Sequence, residues 1–171
     1  METVLEVIER RSSTRDYYPD RLSKEELDTI LKAGLLAPTA RNEQELHLTV
    51  LDTGSEIVQE MCHDLDPERD PKFYYGAPTL IIVSGLDSFP WTSVDAGIAV
   101  ENMHLASIGL GLGSVVIGCI SRVMESEKKA HYDEALKLPE GYSFKVALAV
   151  GKMIKTKTPH EINFERDVTV L

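Results

Sequence analysis

The chain has 171 residues, of which 43% are hydrophobic and 27% are charged, with 11 glycines and 8 prolines. This length and composition predict one globular domain over residues 1–171 and argue against disorder and collagen-like repeats. Lysine and arginine number 18 against 28 acidic residues, for a formal net charge of -10. Because an acidic protein repels polyanions at long range, neither nucleic acid nor an anionic membrane is an expected partner.

Four further features predict a cytoplasmic protein without a metal site. Residues 1–11 are acidic and amphipathic and lack the apolar core of a secretory signal. The most hydrophobic stretch, residues 96–120, contains Glu101 and several glycines, which favours a buried helix and strand over a membrane span. Cys62 and Cys119 are far apart and lack metal-ligand spacing, which predicts two reduced, mostly buried thiols. The five histidines show no metal-ligand spacing either.

Helices and a strand alternate in the first part of the chain. Residues 2–10 carry apolar side chains at helical spacing and predict a first short helix. Ser23 opens the capping-box sequence SKEE, and apolar residues at three-to-four spacing extend a second helix until Pro38 ends it. A strand over residues 47–51 and a helix over residues 55–65 follow.

The second part of the chain begins with a polar segment, residues 64–72, for which we expect a solvated loop. Residues 80–83 are continuously apolar, which is typical of a central strand covered on both faces. Residues 92–108 are apolar nearly all round the helix, so this helix must be buried, either inside the domain or between subunits. The remaining predicted elements are a strand over 114–117, a surface helix over 125–136 and a strand over 144–150.

These elements predict an α+β fold, an α/β sandwich in which helices flank one sheet. Gly109, Gly111 and Gly113 follow a helix and precede a strand, which is the reverse of the dinucleotide-binding order, so they predict a helix C-terminal turn. The tail, residues 152–171, has little pattern before its last four residues. Two interpretations of it stay open: it reaches across a dimer partner, or it is a frayed terminus.

Three polar segments carry the most chemistry. Residues 10–15, RRSSTR, combine guanidinium groups and hydroxyls that suit a phosphate, or they form a solvated basic turn at a helix end. Residues 37–44, APTARNEQ, contain two amides that can read the edge of a planar heterocycle, or form an Asx-type turn. Lys155 and Lys157 place two cations in an irregular segment. The chain has no P-loop, HExxH or GxSxG sequence, which disfavours hydrolase chemistry.

Taken together, the chain resembles the FMN-dependent nitroreductase family, whose members carry R-x-S-x-R-x-[FY] and then A-P-S-x-x-N-x-Q. Residues 11–17 read RSSTRDY and residues 37–44 read APTARNEQ. The resemblance continues through GAPTLIIV, DAGIAVEN and LGLGSVVIG, and it covers almost the whole chain.

This resemblance implies a mostly antiparallel central sheet and a homodimer with two FMN sites at its interface, where the buried-looking helix supplies much of the contact. It implies that the FMN phosphate and ribityl chain contact Arg11, Ser12, Ser13 and Arg15, with Lys155 and Lys157 completing the phosphate site. It also implies that the flavin ring lies beside Pro38, Thr39, Ala40, Asn42 and Gln44 of the partner subunit, and beside Val116, Ile117 and Gly118.

The function implied by the resemblance is a ping-pong transfer of electrons from NAD(P)H through FMN to a small electron-poor acceptor, a nitroaromatic or a quinone. No side chain is implied as an acid, base or nucleophile, so the catalytic residues are unknown. The chain departs from the family where Glu45, Leu46 and His47 follow Gln44 in place of the frequent Pro-Trp. This departure leaves open a non-catalytic FMN-binding or storage flavoprotein, and a specialised reaction such as reductive dehalogenation is a third possibility.

Overall fold

The fold is built around an antiparallel sheet of four strands. The computed structural model describes residues 3–68 and 72–171. Within them the strands follow the spatial order β1-β2-β4-β3, and all three neighbouring pairs are antiparallel. Their bounds are β1 Leu46–Asp52, β2 Thr79–Leu86, β3 Gly113–Ile117 and β4 Tyr142–Gly151. The predicted α+β sandwich with a mostly antiparallel sheet is confirmed.

The described part of the chain has seven α-helices. Capping boxes begin α1, from Thr3 to Glu6, and α2, from Ser23 to Glu26, so local hydrogen bonds define where both helices start. The helix bounds are α1 Val4–Arg10, α2 Lys24–Leu35, α3 Glu56–Leu65, α4 Thr92–Gly109, α5 Ser121–Met124, α6 Lys129–Ala135 and α7 Phe164–Asp167.

The central strand β2 is buried on both faces of the sheet. Leu80 and Ile82 belong to a core cluster with α3, α5 and α6, whereas Ile81 and Val83 belong to a second cluster with α2 and α4. Because successive side chains of a strand point to opposite faces, a strand covered on both sides needs apolar residues at every position. This burial on both faces is the reason why residues 80–83 form a continuous apolar run.

Helix α4 has one face against the sheet and another that is partly exposed in the single chain. Val100 and Met103 pack into the core, whereas Val94 is 54% exposed and Ile98 is 36% exposed. The prediction that this helix is buried inside the domain is therefore confirmed for its sheet-facing side. The helix ends at the predicted glycine turn, where Gly111 has a φ of 77° and donates its N–H to the Ile108 carbonyl at 3.0 Å.

The surface helix predicted over residues 125–136 is wrong at its start, because α6 begins only at Lys129. The Ser126 hydroxyl donates to the Val123 carbonyl at 2.7 Å and accepts the Lys128 N–H at 3.1 Å. Such side-chain hydrogen bonds compete with helical ones and hold these residues in a turn. The helix is also not purely superficial, since Tyr132 is fully buried.

The expectation of two buried thiols holds for Cys62 but is wrong for Cys119, which is exposed where the chain leaves β3.

The polar segment predicted as a loop, residues 64–72, begins inside α3. There Asp64 accepts hydrogen bonds from Lys128 at 2.7 Å and from Tyr132 at 2.6 Å. Burial disfavours ionisation of Asp64, but these two partners outweigh it and hold the pKa of Asp64 below its ordinary value. Residues 69–71 of the predicted loop lie outside the described residues.

The tail pairs with the N-terminal segment and then leaves the domain surface. Ile154 donates its N–H to the Asp16 carbonyl at 3.0 Å, and Met153 forms a bridge with Tyr17. Every residue from 154 to 171 is exposed in the single chain, including those of α7. Across the described residues, no helix combines the length and hydrophobicity that crossing a bilayer requires.

Candidate functional site

The segment after α1 forms one wall of a cleft of about 210 Å³, and the tail forms the other wall. The cleft brings together five of the predicted site residues, Arg11, Ser12, Ser13, Arg15 and Lys157. Three tail residues that sequence reasoning did not single out also line it: Thr158, Pro159 and His160. Two guanidinium groups, an ammonium group and three hydroxyls supply the donors that a phosphate group requires.

Lys155 was predicted beside Lys157, but it is exposed and does not line the cleft. In an extended segment, residues two positions apart point to the same side, so the spacing of Lys155 and Lys157 would allow them to share one ligand. The structure nevertheless lines the cleft with Lys157 alone of the two. Arg10 does not line the cleft, whereas Arg11 does. The Arg10 guanidinium instead donates to the Ile108 carbonyl at 2.9 Å. Arg10 therefore stabilises the C-terminal end of α4.

The wall formed by the N-terminal segment is held against the edge strand of the sheet. Ser13 forms a parallel bridge with Ser114 of β3, and Thr14 donates its N–H to the Ser114 carbonyl at 3.0 Å. The buried Tyr17 donates its hydroxyl to the Thr14 carbonyl at 2.9 Å. These contacts give the loop the rigidity of a strand and present its hydroxyls to the cleft.

Arg11 keeps its donors available for a ligand. Its Nε lies 3.8 Å from the half-exposed Glu101 carboxylate, which is beyond hydrogen-bonding distance, and no hydrogen bond within the described residues engages its side chain. Behind it, His104 is 1% exposed, and its Nδ1 lies 3.8 Å from the other Glu101 oxygen. Burial, and secondarily the positive charge of Arg11, lowers the pKa of His104 to about 4. His104 is therefore neutral near neutral pH and adds no charge behind the cleft.

A second cavity, of about 500 Å³, opens between the end of α2 and the start of β1. Pro38, Thr39, Asn42 and Gln44 line it, and these are four of the residues that the resemblance places beside a flavin ring. The apolar side chains of Leu35, Leu36, Leu46 and Leu48 complete the lining. Ala40 does not line the cavity. Its N–H donates to Oδ2 of Asp95 at 2.9 Å, so its part is to anchor the segment to α4.

The segment from Val116 to Gly118 ends β3 at the edge of the sheet. The Val116 side chain is 45% exposed and Gly118 is also exposed, so both are accessible to a ligand. Ile117 packs into the core on the α3 side, and only its backbone is left for a ligand. None of the three residues lines either of the two cavities.

Close packing at the N-terminal wall of the cleft leads to a stability prediction. A Cβ atom at Gly113 would lie 2.5 Å from Oγ1 and 2.7 Å from Cγ2 of Thr14. Because Thr14 is β-branched and buried, it cannot rotate away without cost. We expect Gly113→Ala to lower the free energy of unfolding by about 1–3 kcal/mol, measured by denaturant unfolding.

Gly109 provides the control for this prediction. It is also a glycine next to the same turn, but a Cβ there would meet no atom within 4 Å. Gly109→Ala should leave stability unchanged or raise it slightly, because alanine favours the helical conformation. Equal destabilisation by both substitutions would contradict the assigned packing of Thr14.

Comparison with known proteins shows the family of this chain. The model of the nitroreductase family matches residues 8–66 and 58–152. The chain is 34% identical over 151 residues to a protein of Archaeoglobus fulgidus provisionally named NADH dehydrogenase/NAD(P)H nitroreductase, covering 82% of this chain and 79% of that one. It is also 25% identical over 169 residues to a Bacillus subtilis FMN reductase (NADPH), covering 88% of this chain and 66% of that one.

A solved structure extends the likeness to the complete fold. The crystal structure of a Bacteroides fragilis nitroreductase with bound FMN has a TM-score of 0.87 and 27% sequence identity, with all of both chains covered. Since the family model spans most of the sequence, the chain belongs to the nitroreductase family.

Proposed function

We propose that this chain is an FMN-dependent oxidoreductase that takes electrons from NAD(P)H and passes them to a small electron-poor acceptor. The observation that carries this proposal is the cleft in which Arg11, Arg15 and Lys157 converge with two serine hydroxyls. The charge of these three cations is opposite in sign to the net charge of the chain, which is -10. A local basic site of this kind overcomes the long-range repulsion of an anion and favours a phosphate monoester as ligand.

The residues of the chain fit FMN in their chemistry. The cleft supplies cations and hydroxyl donors for a phosphate, and the Bacteroides fragilis relative holds FMN. The second cavity combines leucine walls with Asn42 and Gln44, which suits a planar ring with a polar edge. Bound FMN supplies the acceptance and donation of hydride, and the protein supplies binding, orientation and electrostatics.

The roles of the residues follow from their positions. Arg11, Arg15 and Lys157 bind the phosphate group and favour a negatively charged ligand in the cleft. The exposed backbone after β3, around Gly118, offers an N–H donor to the ring edge. No titratable side chain of the described residues is needed as a nucleophile in this scheme.

A cytoplasmic location is also part of the proposal, and the free thiols Cys62 and Cys119 favour it.

A homodimer is part of the same proposal. Apolar side chains are exposed beside the second cavity, where Leu35 is 67% and Leu36 is 70% exposed, and on α4, where Val94 is 54% exposed. Large apolar side chains exposed to this extent favour a protein–protein interface. A second copy would cover it and place its own segment 38–44 against the flavin ring.

The test of this function is the flavin spectrum of the purified protein. We expect a yellow protein that releases FMN on denaturation, identified by chromatography. Under anaerobic conditions, NADH or NADPH should bleach the visible absorbance promptly, because hydride reaches the bound flavin. Addition of a nitroaromatic or a quinone in separate reactions should restore the colour in a second, independent step, as a ping-pong mechanism requires. A sample that holds FMN but is bleached by neither nucleotide would support a storage flavoprotein, and release of FAD would contradict the proposal.

A further inference from the structure

A third cavity, of about 320 Å³, opens where the chain leaves β3. Phe73 and Tyr75 supply aromatic walls and Cys119 lies at the strand end, so we call it the aromatic cavity. Among the described residues, it shares no lining residue with the basic cleft or with the cavity beside residues 38–44. Sites for small molecules have volumes of about 300–1,000 Å³. The aromatic cavity is therefore large enough for one aromatic ring with a small substituent.

The apolar walls of the aromatic cavity are held by the core. Leu65 and Phe73 are buried, and both belong to the core cluster on the α3 side of the sheet. The Phe73 ring packs edge to face against Tyr74, with the ring centroids 5.5 Å apart. Tyr75 is exposed at the rim, and its N–H donates to the Lys72 carbonyl at 2.7 Å, which closes a turn. Ordered aromatic walls of this kind favour contact with an aromatic ligand.

Two cations at the rim of this cavity have donors available for a ligand. Lys72 and Arg122 both line the cavity, and both residues are exposed. Neither forms an ion pair within the described residues, and the one side-chain hydrogen bond, from Arg122 to the Leu65 carbonyl, is long at 3.5 Å. The lining also contains one acid, Asp66, which accepts the Glu68 N–H at 3.2 Å. Two positive charges against one negative charge favour an anionic group at this rim.

The neighbouring charges do not reverse this balance. Asp64 and Glu127 line an adjacent cavity together with Arg122 and Lys128, so acids and cations are matched there. The Asp64 carboxylate accepts a hydrogen bond from Lys128 at 2.7 Å. Partial burial raises the pKa of the Cys119 thiol above its ordinary value, so this thiol adds no negative charge near neutral pH.

The aromatic cavity adjoins both parts of the candidate site. Arg15, which lines the basic cleft, places its guanidinium carbon 5.6 Å from the centre of the Tyr75 ring. This cation–π contact joins the rim of the cavity to the cleft. On the other side, Cys119 directly follows Gly118, whose backbone the proposed function sets at the edge of the flavin ring. A ligand in the cavity would therefore lie next to a bound flavin.

We propose that the aromatic cavity binds an aromatic carboxylate, with its ring against Phe73 and Tyr75 and its carboxylate facing Lys72 and Arg122. A guanidinium group matches the planar geometry of a carboxylate, and the aromatic walls bind the attached ring. The binding site stands on these residues themselves, and only its use to select an acidic aromatic electron acceptor rests on the proposed function. Lys72 and Arg122 then determine specificity, because they favour an acidic acceptor over a neutral one of the same shape.

Binding is measured by NMR on the isotope-labelled full chain without added flavin, so that the result does not depend on FMN. Benzoate and benzamide are the probes, because they have the same ring and similar size but differ in charge. We expect benzoate to shift the backbone amide signals of Tyr75, Cys119 and Arg122, with a dissociation constant about tenfold lower than that of benzamide. Shifts confined to residues 11–15 would place the carboxylate in the basic cleft and would overturn the inference.

Two variants test the cations separately. Arg122→Gln should weaken benzoate binding by about threefold to tenfold and change benzamide binding by less than about twofold, because it removes the charge. Lys72→Gln should act in the same direction, and its side chain makes no hydrogen bond within the described residues that the fold would lose. Lys32→Gln is the matched control, since Lys32 is exposed on α2, which packs on the opposite face of the sheet, and its loss changes the net charge equally. Equal weakening by all three variants, or by none, would contradict the assigned site.

The use of the cavity for electron acceptors is tested on the FMN-bound protein. The ratio of kcat/KM for nitrobenzoate to that for nitrobenzamide should fall by about threefold to tenfold in Arg122→Gln, and an unchanged ratio would overturn the acceptor role. If benzoate binds as expected but the chain does not bind FMN, the binding site stands and the proposed function fails. If NAD(P)H reduces bound flavin but benzoate leaves the cavity signals unchanged, the proposed function stands and the inference fails.

Discussion

Removal of residues 160–171 is expected to dissociate the proposed dimer and to release FMN. The removed segment contains Ile162, Phe164 and Leu171, which are 73%, 72% and fully exposed in the single chain. It also contains His160, which lines the basic cleft. Burying an apolar side chain stabilises an interface by about 1.5–3 kcal/mol, so two such side chains account for about a hundredfold or more in the dimer dissociation constant.

Light scattering across a dilution series measures the mass of the assembly, and visible absorbance after removal of free flavin measures the flavin retained. The full chain should have about twice the mass of 19.0 kDa, and the shortened chain should approach the monomer as its absorbance falls. Thr169→Ala is the control, because it changes the tail without shortening it or removing a large apolar group. If the shortened chain keeps both its dimer and its flavin, the tail is a frayed terminus, and the interpretation that it reaches across a dimer partner is wrong.

Arg11→Ala is expected to weaken FMN binding by about tenfold to a hundredfold, because a hydrogen bond to a charged group contributes about 1.5–3 kcal/mol. The fold should tolerate the change. Arg11 faces Glu101 only at 3.8 Å, and no hydrogen bond of the described residues is lost with its side chain. Arg15→Ala should act in the same direction, since Arg15 lines the same cleft. Fluorescence titration of the flavin-free protein measures the dissociation constant.

Riboflavin separates a phosphate contact from general damage to the site. It has the same ring as FMN but lacks the phosphate, so its affinity should be unchanged in Arg11→Ala. Lys155→Ala is the matched control variant, because Lys155 is a nearby cation outside the cleft lining. Equal loss of FMN and riboflavin affinity, or an unchanged FMN affinity in both arginine variants, would contradict the phosphate assignment.

Local patterns in the sequence determined the elements of the fold and the family. The SKEE capping box placed the start of α2, and the apolar run at residues 80–83 identified the central strand β2. Both signals depend on residues close together in the chain, which act through local hydrogen bonds and alternating side-chain directions. The basic and amide segments were also visible as residue types, and they led to the family that the comparisons show.

Only the tertiary structure decided which residues of these segments share a site. It directed Arg10 to the end of α4 and left Arg11 facing the cleft, and it separated Lys157 from Lys155. It brought His160 to the same cleft, a contact with no signature in the sequence. The hydrogen bond from the Ala40 N–H to Asp95 arises in the same way, because contacts between residues distant in the chain are properties of the packed fold.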